Sequence, residues 1–261
     1  MLPVVGLDRL TDDAVRVVFE VPAAERDGFR FAPGQHVTVR VELDGVEARR
    51  AYSLCAAPCG EDVAARLSIA VKELGPGGFG EIAAGKLGVG DLVDVLPPAG
   101  RFVLQEGPEH VGIVAGSGVT PVLAMAEVAL ARGDRFTLIY GNRTASSVMF
   151  LEELADLKDR YAERLMVLHV LSREPREAPL LTGRIDASRL PDLLAAVLKA
   201  RPDTPYSCTG GVCGTCRAKI VHGEVAMAHD YALEPEEKAD GFVLACQSRP
   251  LTPAVELDFD A

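Results

Sequence analysis

The sequence predicts a β plus α/β chain: an antiparallel β-barrel or sandwich, then a parallel sheet with helices on its faces, then a small cysteine-rich module. Three observations carry this. Over residues 1–105 short apolar or alternating runs recur between turn signals, the pattern of antiparallel strands. From His110 the period changes to strand, glycine turn, helix, strand, helix, strand, which builds a parallel sheet with helices on its faces. Beyond residue 200 lie four of the six cysteines, which points to a metal site rather than a disulfide scaffold.

In chain order, VRVVFEV, HVTVRVEL, ARLSIAVKEL and DLVDVLPP are the barrel strands. Pro33-Gly34, Asp44-Gly45, Pro76-Gly77-Gly78 and Gly90-Asp91 are the turns between them. HVGIVAGSGVTPVLAMAEVALARG reads as strand, turn and helix; FTLIYGNR, FLEELADLKDRYAERL and MVLHVLS complete the βαβαβ string. SRLPDLLAAVLKA is one further amphipathic helix, and cysteine-rich loops with short strands follow. The expected divisions are 1–105, 106–200 and 201–261.

Composition narrows the function classes. The 261 residues are 48% hydrophobic and 25% charged, enough for two or three packed domains. A formal charge of −11 opposes binding to nucleic acid or to an anionic membrane surface. The N-terminal stretch lacks the apolar core of a signal peptide, and no run of about 18 apolar residues occurs. The expectation is a cytoplasmic protein with neither nucleic-acid nor membrane partners.

Cys208, Cys213 and Cys216 stand in a C-x4-C-x2-C array with Cys246 as a distant fourth, the spacing of plant-type [2Fe–2S] ligands. A loop rich in Gly210, Gly211 and Gly214 can wrap a cluster and turn backbone N–H groups toward its sulfides. Structural zinc is the rival, but it usually pairs two C-x2-C knuckles and here there is one. Cys55 and Cys59 read as inert thiols.

Arg50, Tyr52 and Ser53 close a predicted strand. They suit a cofactor bearing both a pyrophosphate and an aromatic ring: the guanidinium pairs phosphate, the ring stacks, the hydroxyl hydrogen-bonds. The same residues also fit a core tyrosine beside a solvated arginine. In the turn Gly116-Ser117-Gly118-Val119-Thr120-Pro121, glycines let backbone approach a phosphate at the helix N-terminus. Pro121 suits the first helical turn and stands where a dinucleotide fingerprint has its third glycine, so an ordinary strand–helix turn is the alternative. Arg143, Ser172 and Arg173 follow the second and third parallel strands, where a ribose 2′-phosphate would be held; each also fits a solvated loop.

Taken together, RAYS, GSGVTP, YGNR, LSRE and the cysteine array resemble the ferredoxin–NADP reductase superfamily, in the form that carries a C-terminal plant-type ferredoxin module. The cysteine region and the tail YALEPEEKADGFVLACQSRPLTPAVELDFD are most similar to reductase subunits of phenylacetyl-CoA epoxygenases in phenylacetate degradation. The resemblance implies an antiparallel FAD-binding barrel, a doubly wound NADP-binding domain and a β-grasp [2Fe–2S] module. It implies Arg50, Tyr52 and Ser53 as flavin contacts, and Gly116, Gly118, Thr120 and Pro121 as nicotinamide-nucleotide contacts. Ser172 and Arg173, with Arg143 nearby, would favour NADPH over NADH, and the four cysteines would be the cluster ligands.

Three departures accompany the resemblance. The second flavin motif has no Ser or Thr in Gly77-Gly78-Phe79-Gly80-Glu81, leaving the backbone at Gly78 as the phosphate contact. The C-G-P turn beside the nicotinamide has no counterpart, and neither does the hairpin that opens the ferredoxin module. By usual module sizes roughly 80 residues are absent between Leu190 and Pro205. The nucleotide domain is therefore expected to be truncated and the β-grasp module incomplete, with the helix DLLAAVLKA serving both.

The function implied is electron transfer from NADPH through FAD and a [2Fe–2S] cluster to an oxygenase component, with no side chain acting as acid or base. The rivals are a [2Fe–2S] carrier that NADPH cannot reduce, a product too short to fold, and a reductase serving another aromatic or alkane oxygenase.

Overall fold

The computed structural model describes residues 1–43, 46–58, 64–73, 79–176, 178–200, 216–252 and 255–258. The chain forms two compact units, Met1–Arg184 and Ile185–Ala261.

The first unit opens with six antiparallel strands: β1 (Leu2–Thr11), β2 (Ala14–Glu20), β3 (His36–Leu43), β4 (Val46–Ser53), β5 (Arg66–Lys72) and β6 (Leu92–Val95). Their order is β4-β3-β6-β1-β2-β5, and a bridge between Leu54 and Ile69 joins the two end strands, so the sheet closes on itself. Inward residues are apolar and fully buried, among them Leu2, Val17, Phe19, Val37, Val39, Leu67 and Ile69. Each such side chain contributes roughly 1.5–3 kcal/mol by leaving water.

Two barrel elements have no counterpart in the strand-and-turn pattern read from the sequence. Strand β1 is one; its pairing with β2 slips between Val4 and Gly6 and again between Arg9 and Thr11, which breaks the two-residue alternation. The other is helix α1 (Phe79–Gly85), which starts inside a glycine-rich run. A Cβ on Gly80 would lie 2.7 Å from the Lys72 carbonyl oxygen, so this glycine lets the helix backbone lie against the end of β5.

Strands β7 (Glu109–Ala115), β8 (Arg135–Asn142) and β9 (Leu165–Leu171) form a parallel sheet in the order β7-β8-β9. Helices α2 (Val119–Arg132) and α3 (Leu151–Arg160) connect them. Helix α2 buries Val122, Leu123, Ala126 and Leu130 in one cluster with Phe136, Leu138 and Tyr140 of β8. The same cluster takes in Ala14, Cys55 and Ala70 of the barrel, so barrel and parallel sheet share a core. Polar contacts reinforce this junction: Arg16 pairs with Glu153 at 2.7 Å, and Ala57 N–H donates to Glu127 Oε2 at 2.7 Å. Burial raises the Glu127 carboxyl above its ordinary value, with the Ala57 bond opposing that shift. Cys55 is inert here, its thiol pushed up to about 12 by burial.

The second unit holds helix α4 (Leu190–Ala200), which buries Leu193 and Val197. It also holds strands β10 (Arg217–His222), β11 (Val225–Met227), β12 (Phe242–Leu244), β13 (Ser248–Pro250) and β14 (Glu256–Asp258), with a short helix α5 (Pro235–Ala239). Strand β10 lies antiparallel between β12 and β14, and β11 pairs with β13. Among the described residues no helix is long and apolar enough to cross a membrane.

Candidate functional site: three cofactor regions

The barrel region is set by β4. Arg50 and Tyr52 sit opposite Val39 and Val37 of β3, two residues apart and so on one face of the strand. Arg50 is exposed, with its Nη1 donating to the Arg49 carbonyl at 3.0 Å. Tyr52 is half-buried against Phe79, ring centroids 5.6 Å apart. Burial raises its phenol and the Arg50 charge draws it back. Ser53 ends the strand opposite His36, one residue out of phase with the pair. An exposed cation two residues from a half-buried aromatic on the same strand suits a phosphate-bearing ring cofactor. Gly78 lies outside the described residues.

The second region gathers at the carboxyl ends of β7–β9, where open α/β sheets bind ligands. After β7 the chain turns through Gly116–Gly118, with Gly116 at φ +53°, a left-handed conformation that favours glycine. Gly118 is exposed and is the N-cap of α2, and no side chain caps that end; the geometry leaves it suited to an anion. Thr120 is buried, its hydroxyl donating to the Ser117 carbonyl at 2.6 Å, so it shapes the turn from within. Pro121 follows in the first helical turn.

The exits of β8 and β9 are tied together. Ser172 N–H donates to the Asn142 carbonyl at 2.9 Å and Arg173 N–H to the Arg143 carbonyl at 2.8 Å. Arg143, Ser172 and Arg173 thus share one basic rim although two different strands deliver them, and both arginines are exposed. On β9, His169 is half-buried, and burial, with Arg176 nearby, lowers its imidazole below the ordinary value. Tyr140, fully buried on β8, donates its hydroxyl to the Gly116 carbonyl at 3.1 Å. The sequence motif drew attention to Arg143 and passed over Tyr140. A phenol in the otherwise apolar strand core TLIY needs a hydrogen-bond partner, and that was the available signal.

The third region is in the second unit. Cys208 and Cys213 lie outside the described residues. Cys216 is buried with Leu233 and Leu244, and immediately precedes β10. Ala245 N–H donates to the Cys216 carbonyl at 3.0 Å, and Arg217 is in register with Leu244. The pairing of β10 with β12 therefore brings the backbone of Cys246, in the turn Ala245–Gln247, beside that of Cys216. This convergence of backbone positions 30 apart fits a thiolate-ligated cluster.

Comparison with known proteins adds the family. Three family models match: an oxidoreductase FAD-binding domain over 2–104, an oxidoreductase NAD-binding domain over 113–215, and a 2Fe-2S iron-sulfur cluster binding domain over 185–251. The last two both claim 185–215. The chain is 34% identical to a subunit of the 1,2-phenylacetyl-CoA epoxidase of Escherichia coli, covering 100% of this chain and 97% of that one. That alignment runs over 350 positions, 89 more than the 261 residues here, so at least that many positions lack a residue of this chain. It is 28% identical to the ferredoxin reductase component of 3-ketosteroid-9-alpha-monooxygenase from Rhodococcus rhodochrous, covering 95% of this chain and 93% of that one. In fold it resembles phthalate dioxygenase reductase, with a TM-score of 0.55, 21% identity and coverage of 98% and 97%. The FAD/NAD-binding domain of nitric oxide dioxygenase from Vibrio cholerae matches at 25% identity with a TM-score of 0.61, covering 71% and 78%. The chain belongs to the family of oxygenase reductases that join FAD-binding, NAD-binding and [2Fe–2S] domains in one polypeptide, the family of the matching phenylacetyl-CoA epoxidase subunit.

Proposed function

We propose that this chain is the NADPH-dependent reductase component of a multicomponent oxygenase acting on phenylacetyl-CoA or a related CoA ester. The observation that carries the reading is the full-length similarity to the phenylacetyl-CoA epoxidase subunit together with the convergence of Cys216 and Cys246. When bound, FAD would supply hydride acceptance and a [2Fe–2S] cluster single-electron transfer.

The chain's own residues bind and orient. Arg50 pairs the flavin pyrophosphate and Tyr52 covers its ring system, with Ser53 and the Gly78 backbone as further contacts. Gly116, Gly118, Thr120 and Pro121 receive the nicotinamide nucleotide at the head of α2. Arg143, Ser172 and Arg173 hold the 2′-phosphate, which is the basis for NADPH over NADH. Cys208, Cys213, Cys216 and Cys246 ligate the cluster. The functional divisions are 1–105, 106–200 and 201–261, and the site of action is the cytoplasm.

A second reading has a specific observation in its favour. The parallel sheet has three strands among the described residues, with β7 at its edge and Val111 and Ile113 exposed on that strand. With the nicotinamide side of the sheet shortened, the chain would act as a [2Fe–2S] carrier charged by another protein.

The test puts this chain in place of the matching subunit in the E. coli phenylacetyl-CoA epoxidase. NADPH-dependent consumption of phenylacetyl-CoA supports the first reading. Consumption only when the cluster is reduced chemically supports the carrier.

A further inference from the structure

We infer that Tyr140 is a positioning residue for the pyridine nucleotide, a buried strut that holds the Gly116–Gly118 turn in its anion-receiving shape. The inference rests on the reading of that turn as the nucleotide site.

Tyr140 lies in the central strand β8, in register with Val114 of β7 and His169 of β9. Its ring is fully buried and its phenol is pushed up to about 12 by burial, so it stays protonated and can donate at any physiological pH. The hydroxyl bonds the Gly116 carbonyl at 3.1 Å and lies 3.5 Å from the Met149 carbonyl. Both acceptors stand at left-handed corners. Gly116 itself has φ +53°, and Met149 directly precedes Phe150, whose φ of +59° is the one positive value on a non-glycine among the described residues. At Phe150, a non-glycine, such a backbone is strained and persists only where its surroundings enforce it. One hydroxyl therefore sits between the turn after β7 and the corner that starts α3, at the carboxyl edge of the sheet.

The Gly116 carbonyl also receives the Val119 N–H across the turn. With the hydroxyl removed, the peptide unit after Gly116 can rotate, and rotation redirects the Ser117 and Gly118 backbone that faces the ligand. Packing is untouched, because phenylalanine fills the same ring volume.

The test compares holoprotein carrying Tyr140→Phe with the parent in two measurements. Calorimetric titration with NADP+ is expected to show Kd raised about three- to tenfold, the range for one lost hydrogen bond. Turnover at saturating NADPH, flavin absorbance and the reduced-cluster resonance are expected to be unchanged. Hydrogen exchange of the free protein is expected to quicken at 116–120 and 148–150 and nowhere else. Leu165→Ala, at the opposite end of the sheet, controls for stability alone: it lowers Tm and leaves Kd where it was. An unchanged Kd in Tyr140→Phe, or a Kd that follows Tm equally in both variants, overturns the inference. If the parent itself binds no NADP+, the nucleotide reading falls and this role falls with it, while hydrogen exchange still reports separately whether the hydroxyl holds the turn.

Discussion

His169 weakens the parallel sheet in acid. Its ring packs 5.9 Å from the Tyr140 ring, and its buried Nδ1 has no hydrogen-bond partner among the described residues. Burial first, and Arg176 second, hold its pKa below the ordinary 6.5. The unfolded chain thus binds this proton more readily than the folded one. Stability from this residue is complete above about pH 6.5 and is lost as pH falls through the folded value, by at most about 1.4 kcal/mol per pH unit. Urea midpoints measured from pH 7.5 down to 5 should show a steeper fall in the parent than in His169→Gln. Equal slopes would mean that the ring is not penalised by its burial. At this scale the [2Fe–2S] domain was legible through cysteine spacing, because ligand geometry constrains spacing directly. Tyr140 and His169 were not, since their roles come from a strand register that joins positions 29 apart.

Edge strand β7 carries an unusual load for its length. Its exposed face presents Val111 and Ile113, 54% and 44% exposed, with unpaired backbone on the outer side among the described residues. Native sheets normally blunt such edges with charge or bulges. Val111→Lys with Ile113→Lys should raise the concentration at which light scattering sets in, while Tm moves by a few degrees at most. No change in scattering would show that this edge is covered in solution. Apolar runs located β3, β7, β8, β9 and both connecting helices to within a few residues, since each is a stretch of element length bounded by turn residues. They missed β1, where two bulges shift the alternation, and α1, whose Gly80 serves close packing on β5 and reads in isolation as loop.

For the whole molecule the central fact is economy of length. The NAD-binding and [2Fe–2S] models both match 185–215, and the alignment with the epoxidase subunit holds 89 more positions than this chain has residues. The shortening was visible in the sequence because the motifs before and after it remain in family order. What the shortening does to the relay could not be read from residues, because it depends on whether a three-stranded sheet still presents the nicotinamide to the flavin. The barrel and the parallel sheet nonetheless share one core through Cys55, Ala14 and Ala70, and are pinned by Arg16–Glu153 and Ala57–Glu127. That joint core favours a working first electron step. The decisive measurement is an anaerobic NADPH titration of the purified protein, followed by flavin absorbance and by electron paramagnetic resonance of the cluster. A working relay bleaches the flavin and raises the reduced-cluster signal with NADPH alone, and this is the expected result; a cluster that dithionite reduces and NADPH does not would contradict it.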